Sequence, residues 1–220
     1  VGKFWIPDED TYFLSMLEKG LAWEPDKLDA ALSYIKNDRV CIDAGAHIGL
    51  YTTVLASIFD TVYAFEPNHA TFKCLHANTV GMASVICTRA ALGNKYGLVK
   101  MCVDNSRVGN TGSYYVQVCK DNKEIKEVQS TRKGAVLEPM DLYNFTNVDF
   151  IKFDLEGYEF LALQGASDTI ARCKPVIMIE EKKFPGRYTH TQNDSRNLLL
   201  AMGYGLKKSI KNDHVYAYEQ

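Results

Sequence analysis

A lysine and three carboxylates crowd the end of one hydrophobic run. In VDFIKFDLEGYEF (residues 148–160), Lys152 stands inside the run, and Asp154, Glu156 and Glu159 surround a single glycine, Gly157. Strand alternation places Lys152 and Asp154 on one face, about 6.6 Å apart along the strand. Gly157 then breaks the strand, and Glu159 reads as a helix-start acid that complements the dipole. Asp154, closely followed by Glu156, is the candidate functional carboxylate. It can accept a proton from a hydroxyl nucleophile, bind a ligand's ammonium group, or join Glu156 in holding Mg²⁺ through oxygen. The residues alone do not choose among these roles, and a metal is not expected from two carboxylates. Lys152 either closes a buried salt bridge to Asp154 or a neighbouring acid, or lowers a nucleophile's pKa and orients the base.

A second group lies upstream. CIDAGAHIGLYTT (41–53) reads as a strand, a glycine turn and a helix start. Gly45 permits the tight turn, and Gly49 permits close approach of a ligand or the next helix. The spacing Asp-x-Gly-x-x-x-Gly is not the dinucleotide GxGxxG. Asp43 beside the turn would repel a pyrophosphate and suit a cationic ligand. Glu66, 23 residues after Asp43, ends the next strand, where an acid can accept hydrogen bonds from both hydroxyls of a ribose.

These groups need a sheet to position them. RVCIDAG, TVYAFEP, SVICTRAAL, VDFIKFD and PVIMIEE read as core strands. Between them LYTTVLASIF, HATFKCLHANTV and EFLALQGASDTIARC read as helices, and DSRNLLLAMGY as a further one. Alternation of this kind implies right-handed crossovers and a mostly parallel sheet with helices on both faces, an α/β fold. GLKKSIKN and HVYAYEQ flank an Asn-Asp turn and read as a closing antiparallel hairpin. Residues 1–38 read as an N-terminal helical cap, DTYFLSMLEKG and EPDKLDAALSYIKND. Residues 93–141 read as a β-rich insertion without helices, with LVKMCVD, SYYVQVC and IKEVQST as antiparallel strands. No linker or repeat divides residues 1–220, so a single domain is expected.

The net charge of -2 argues against a generic nucleic-acid binder, although Lys182, Lys183, Arg187, Lys207, Lys208 and Lys211 gather near the C-terminus. No apolar run approaches the ~20 residues that cross a bilayer, so no membrane partner is expected. Six scattered cysteines without zinc spacing, and no signal-peptide pattern, suit a reducing, cytoplasmic setting.

CIDAGAHIGLYT, AFEPNHATFKCLHAN, AALGNKYG and VDFIKFDLEGYEFLALQGA, in that order, resemble the FkbM family of S-adenosylmethionine-dependent methyltransferases, from about Trp23 to Glu181. His47 stands where that family more often has asparagine. The resemblance implies a class I methyltransferase (Rossmann-like) fold with a seven-stranded sheet, order 3-2-1-4-5-7-6, and S-adenosyl-L-methionine as cofactor. It places Asp43, Gly45, His47 and Gly49 at the methionine half, Glu66 at the ribose and Asn68 near the adenosine. Ala90 and Ala91, ending the third strand, would lie near the adenine, and Glu180 would face the substrate side. The implied activity is O-methylation of a hydroxyl on a sugar, glycan or natural product. Lys152, Asp154, Glu180 and Lys182 resemble in type, but not in order or spacing, the Lys-Asp-Lys-Glu set of RNA 2′-O-methyltransferases, so an RNA ribose is the alternative acceptor. Outside this class stand a nicotinamide-dependent oxidoreductase, which should carry GxGxxG, and a non-catalytic cofactor-binding protein. The N-terminal helices and the insertion are expected to form the acceptor pocket, where Trp23, Tyr114, Tyr115 and Tyr188 could stack on a ring or serve equally as core.

Overall fold

The computed structural model describes residues 4–20, 24–103, 105–131, 133–182 and 187–219. Trp23 and Lys183 lie outside the described residues. In chain order the elements are α1 (Thr11–Glu18), α2 (Pro25–Leu32), β1 (Val40–Ala44), α3 (Leu50–Leu55), β2 (Thr61–Phe65), α4 (His69–Asn78), β3 (Val85–Thr88), β4 (Ala90–Leu92) and β5 (Gly97–Cys102). There follow β6 (Tyr115–Val118), α5 (Asn122–Thr131), β7 (Gly134–Glu138), β8 (Val148–Phe153), α6 (Glu159–Gln164), α7 (Ser167–Cys173), β9 (Val176–Glu180), α8 (Gln192–Ala201), β10 (Tyr204–Ile210) and β11 (Asp213–Tyr218).

The main sheet has seven strands in the order β10-β11-β9-β8-β1-β2-β3. Counting its strands along the chain, this is the order 3-2-1-4-5-7-6 that the resemblance implies. β8, β9, β1, β2 and β3 run parallel, and β11 is antiparallel to both β9 and β10. β1 and β8 are central and covered on both faces, which explains their near-continuous apolar runs. Ile42, Phe65, Ile151, Phe153, Ile177 and Ile179 pack with Leu163 of α6, Ile170 of α7 and Leu199 of α8. Cys41, Val62, Phe150 and Met178 pack with Leu28 of α2 and Leu55 of α3 on the other face. α2 therefore covers the sheet, whereas α1 has no fully buried residue and lies at the cleft. Register sets the polar exceptions against each other: Asp43 of β1 pairs with Lys152 of β8, and Asp213 of β11 with Glu180 of β9.

The region 93–141 departs from the expectation. SVICTRAAL does not stay in one sheet: β3 ends at Thr88, and β4 joins a second, four-stranded sheet of order β4-β7-β5-β6. β4 pairs with β7 in parallel, while β5 is antiparallel to β6 and β7, so the second sheet is mixed. The stretch IKEVQST, read as a strand, is helix α5. Its apolar residues Ile125 and Val128 are three apart, a helical spacing, and the Asp121 carboxylate accepts the backbone N–H groups of Lys123 and Glu124 at its start. EFLALQGASDTIARC is two helices rather than one. Asp141 receives the N–H groups of Asp168 and Thr169, which starts α7 afresh after Gly165.

Candidate functional site

Asp43 has no solvent exposure, and its neighbour across the sheet, Lys152, is only 4% exposed. The Asp43 carboxylate accepts the Thr52 hydroxyl at 2.7 Å and lies 3.2 Å from Lys152 Nζ. The same ammonium reaches the Gly45 carbonyl at 3.3 Å and Asp154 Oδ2 at 3.6 Å, with the Tyr51 ring centroid 5.2 Å away. Burial alone would lower the Lys152 pKa, but Asp43 and Asp154 together hold it well above the usual lysine range. Lys152 is thus a strut between a buried acid and a cleft acid, with both carboxylates favouring its charged form.

Asp154 follows the last residue of β8, and its N–H donates to the Ala44 carbonyl at 3.1 Å. Burial would raise its carboxyl, but Lys152 and a hydrogen bond from Glu180 hold it below the usual carboxylate range. Glu180, 8% exposed at the end of β9, is pushed well up by burial and by Asp154. The neighbouring charges thus drive the two acids in opposite directions, Asp154 down and Glu180 up. Lys182 Nζ lies 2.7 Å from Glu180 and 2.8 Å from Glu156.

The turn after Asp154 is held from below. Glu156 adopts φ 54 and Gly157 φ 102, a sharp reversal of the chain. Glu159 Oε1 accepts the N–H groups of Leu155 at 2.8 Å and Gly157 at 3.1 Å, and burial pushes its carboxyl up to about 7. Arg187 donates to the Glu156 carbonyl at 2.8 Å, and the Glu156 carboxylate faces Lys182, Arg107 at 3.7 Å and Arg187 at 3.9 Å.

On the other side, Gly45 has φ 81, and a Cβ there would sit 1.9 Å from the Asp154 carbonyl oxygen. Only glycine lets the β1–α3 loop press against the turn that carries Asp154. Glu66 receives the N–H groups of His47 at 2.9 Å and Asn68 at 2.8 Å, and the Thr71 hydroxyl at 2.8 Å. Its carboxylate oxygens together offer about four acceptor sites, so capacity for a further donor remains.

Two cavities flank this centre. The smaller, about 110 Å³, is lined by Glu66, Ala90, Ala91 and Tyr114 among others. The larger, about 810 Å³, is lined by Tyr12, Phe13, Tyr51, Arg107, Lys152 and Lys182 among others. Both are lined by Gly45, His47, Gly112, Asp154 and Glu156, so they meet at Asp154.

Asp43, Gly49, Asn68 and Glu180, assigned above to the ligand's surroundings, line neither cavity. Asp43 lies beneath, on Lys152. Gly49 caps α3, where a Cβ would meet Leu75 at 2.8 Å, so its role is packing against α4. The Asn68 side chain is spent on capping α4 through Ala70 N–H. Glu180 lies behind Asp154, because β9 ends one strand further from the cleft. Ala90 and Ala91 belong to β4 of the second sheet, not to the third core strand. Tyr115 lies under the Arg187 guanidinium, and the Tyr188 hydroxyl bonds the Val116 carbonyl, so both are packing groups. Arg107, Thr111 and Tyr51 were missed. The first two lie in the loop NSRVGNTGS, which carries turn residues and no periodicity that would assign a face.

Asp154, Glu156 and Glu180 bring oxygens within 4.8 Å of one another, the ligand type that Mg²⁺ takes. The Lys182 ammonium already bridges two of them, so an entering ion would have to displace it. Of the C-terminal cations, Lys182, Arg187, Lys207 and Lys211 are each set against a carboxylate, which breaks up the basic cluster seen in the sequence. No helix among the described residues is long and apolar enough to cross a membrane.

Residues 43–206 match the family model described as the methyltransferase FkbM domain. A protein described as methyltransferase 1, from Beauveria bassiana (strain ARSEF 2860), is 26% identical over 149 residues, which is 60% of this chain and 60% of that protein. Among solved structures, the methyltransferase FkbM of Methylobacillus flagellatus KT superposes with a TM-score of 0.56 at 19% identity, covering 95% of this chain and 55% of that one. A precorrin-6y C5,15-methyltransferase from Geobacter metallireducens GS-15 superposes with a TM-score of 0.50 at 11% identity, covering 98% of each chain. At these identities the superpositions establish the fold, the class I methyltransferase sheet. The chain spans just over half the length of the FkbM structure and 60% of the Beauveria protein.

Proposed function

The chain belongs to the FkbM methyltransferase family, and from that premise we propose that it transfers a methyl group from S-adenosyl-L-methionine to a hydroxyl of a sugar, glycan or natural product. The observation that carries this reading is the meeting of the two cavities at Asp154. One holds a ribose acid, Glu66, beside the small side chains of Ala90 and Ala91, which leave room for a flat base. The other opens toward solvent with aromatic and hydroxyl groups. Glu66 and the Gly45 turn would hold a donor across the junction, with Asp154 beside its reactive end.

S-adenosyl-L-methionine supplies an electrophilic methyl whose S–C bond breaks with its electron pair going to sulfur. Glu66, with one acceptor site left open on Oε2, would accept a ribose hydroxyl. Asp154 accepts the proton of the acceptor hydroxyl as the new O–C bond forms. Its depressed pKa makes it a weak base toward a free alcohol. An alcohol that is being methylated becomes far more acidic, so a weak base suffices once transfer is under way. Lys152, anchored on Asp43, keeps Asp154 ionised and in place.

The larger cavity falls within the roughly 300–1,000 Å³ typical of small-molecule sites. Tyr12, Phe13 and Tyr51 line it with aromatic side chains, and Ser106 and Asn110 with polar ones, a mixture suited to a polyol. An RNA acceptor is less well supported, because Lys182, Arg187, Lys207 and Lys211 of the C-terminal cations are engaged with carboxylates. The dinucleotide glycine pattern of an oxidoreductase is missing from the β1–α3 turn.

The experiment is transfer of labelled methyl from S-adenosyl-L-methionine to a panel of glycans, sugars, polyol natural products and RNA. Asp154→Asn should reduce transfer about 10²–10⁴-fold, the usual worth of a positioned base, with S-adenosylhomocysteine affinity retained. Full transfer by Asp154→Asn would refute its role. Labelling of RNA alone, weakening steeply with salt, would replace the acceptor class.

A further inference from the structure

The N-terminal segment reaches the donor site through an unusual route. Asp10, 2% exposed, lies just before α1. Its Oδ1 accepts the Phe13 N–H at 2.7 Å, which caps the helix. Its Oδ2 is turned the other way and accepts both the N–H of Thr111, at 3.1 Å, and the Thr111 hydroxyl. Thr111 Oγ1 lies 2.7 Å from His47 Nε2, which is itself 3.7 Å from Asp10 Oδ2.

The direction of this chain follows from valence. Asp10 as a carboxylate only accepts, so the single hydroxyl proton of Thr111 goes to it. Thr111 Oγ1 can then only accept from His47, which makes His47 Nε2 an N–H donor. A buried acid would ordinarily be pushed up, but the nearby His47 ring and the bonds from Thr111 and Phe13 hold the Asp10 carboxyl below its usual range. The ring is also set edge-on to Phe13 of α1, with centroids 5.2 Å apart.

His47 is no bystander. It lines both cavities, it adopts φ 53, and its N–H donates to Glu66. The same glycine loop is tied down a second time. The Asn78 side chain donates to the Ile48 carbonyl at 2.7 Å and to the Trp5 carbonyl at 2.9 Å, and it receives the Trp5 N–H at 2.6 Å. Tyr12 N–H adds a bond to the Gly109 carbonyl at 2.9 Å. Residues 5–13 therefore grip the loop 45–49 from one side and the loop 105–114 from the other.

We propose that Asp10 is a positioning residue of the methyl-donor site: through Thr111 it orients His47 and so completes the pocket that Glu66 begins. This rests on the donor-site reading given above. Neither residue belongs to the glycine turn or to the strand ends that bear the other site groups. An N-terminal segment 33 residues before Asp43 thereby becomes part of cofactor recognition.

The test is calorimetric titration of the whole chain with S-adenosylhomocysteine, in wild type, Glu66→Ala, Asp10→Asn, Thr111→Val and Thr111→Ser. Thr111→Val and Asp10→Asn should weaken binding about tenfold, the worth of one hydrogen bond to a charged group, and Thr111→Ser should recover most of that loss. Asp194→Asn, at the exposed cap of α8, serves as the control and should leave affinity unchanged. The nitrogen NMR signature of the His47 ring supplies a readout that a merely structural role would not move. Nε2 should carry the proton in wild type and in Thr111→Ser, and share it with Nδ1 in Thr111→Val. Should Asp10→Asn fail to fold, the Thr111 pair carries the test. Binding that survives in Thr111→Val and falls in Glu66→Ala would overturn the proposal and leave the donor site standing. So would weakened binding with an unchanged His47 signature. Wild type that refuses the ligand would overturn both.

Discussion

Lys152→Met removes the ammonium between Asp43 and Asp154 with little change of side-chain volume. Among the described residues, Asp43 would then keep only the Thr52 hydroxyl as a hydrogen-bond partner while having no access to water. Breaking a buried pair from one side costs about 3–5 kcal/mol, because the remaining charge is left uncompensated. In a chain of this length each kcal/mol moves the melting midpoint by about 2–4 °C, so a fall of roughly 6–20 °C is expected. Lys152→Met/Asp43→Leu replaces the pair with apolar groups of similar size and should recover most of the loss, since intact buried pairs contribute little net stability. Activity should not recover, because Asp154 still lacks its strut. The measurements are urea unfolding of both variants beside wild type, and methyl transfer under the same conditions. The lysine's raised pKa makes its contribution fully present below the unfolded value of about 10.4 and lost only above the folded one. The deficit of the single variant should therefore be flat from acid-neutral to mildly alkaline buffer. A single variant within about 1 kcal/mol of wild type, or a double variant no more stable than the single, would refute the reasoning.

Glu180 is pushed up by burial and by Asp154, so between its unfolded pKa and its folded one the native state holds a proton that the unfolded state lacks. Stability should decline with rising pH across that window, by at most about 1.4 kcal/mol per unit, and Glu180→Gln should flatten the decline in urea titrations at several pH values. Gly45→Ala would place a Cβ 1.9 Å from the Asp154 carbonyl in a left-handed conformation, so both the melting midpoint and S-adenosylhomocysteine affinity should drop. Glu159→Ala strips the acceptor from the Leu155 and Gly157 N–H groups, which should cost about 1–3 kcal/mol by urea unfolding.

The parts of the site that were legible in the sequence are those where a local pattern is broken for a reason. A carboxylate at the end of a buried strand, and a glycine where the next loop must press close, announce themselves within a few residues. Asp154, Gly45 and Glu66 are of this kind. The Asp43–Lys152 pair was not legible, because its members lie 109 residues apart and meet only through the β1–β8 register. Part of this was anticipated, since a buried salt bridge to Asp154 or a neighbouring acid was one of the two roles open to Lys152, and Asp154 lies 3.6 Å from it; the nearer partner, Asp43, could not be named. The sheet order came with the family resemblance rather than with residue periodicity. The switch of β4 to the second sheet leaves no trace in composition, since an alanine pair suits either sheet. α5 was misread because β-branched Ile125 and Val128 favour a strand by type, while their spacing of three and the acid ahead of them favour a helix. Asp10 and Thr111 were invisible for a different reason: a hydrogen bond between a helix cap and a turn-rich loop has no sequence period.

The proposed function requires the methyl donor to lie across the two cavities with its sulfur at Asp154. The most direct measurement is a crystal structure of the protein with S-adenosylhomocysteine. The expected result is a ribose hydroxyl on the open acceptor site of Glu66, the base beside Ala90 and Ala91, and the sulfur at the junction bounded by Gly45 and Asp154, facing the larger cavity. A ligand seated elsewhere, or one whose sulfur points away from Asp154, would contradict it.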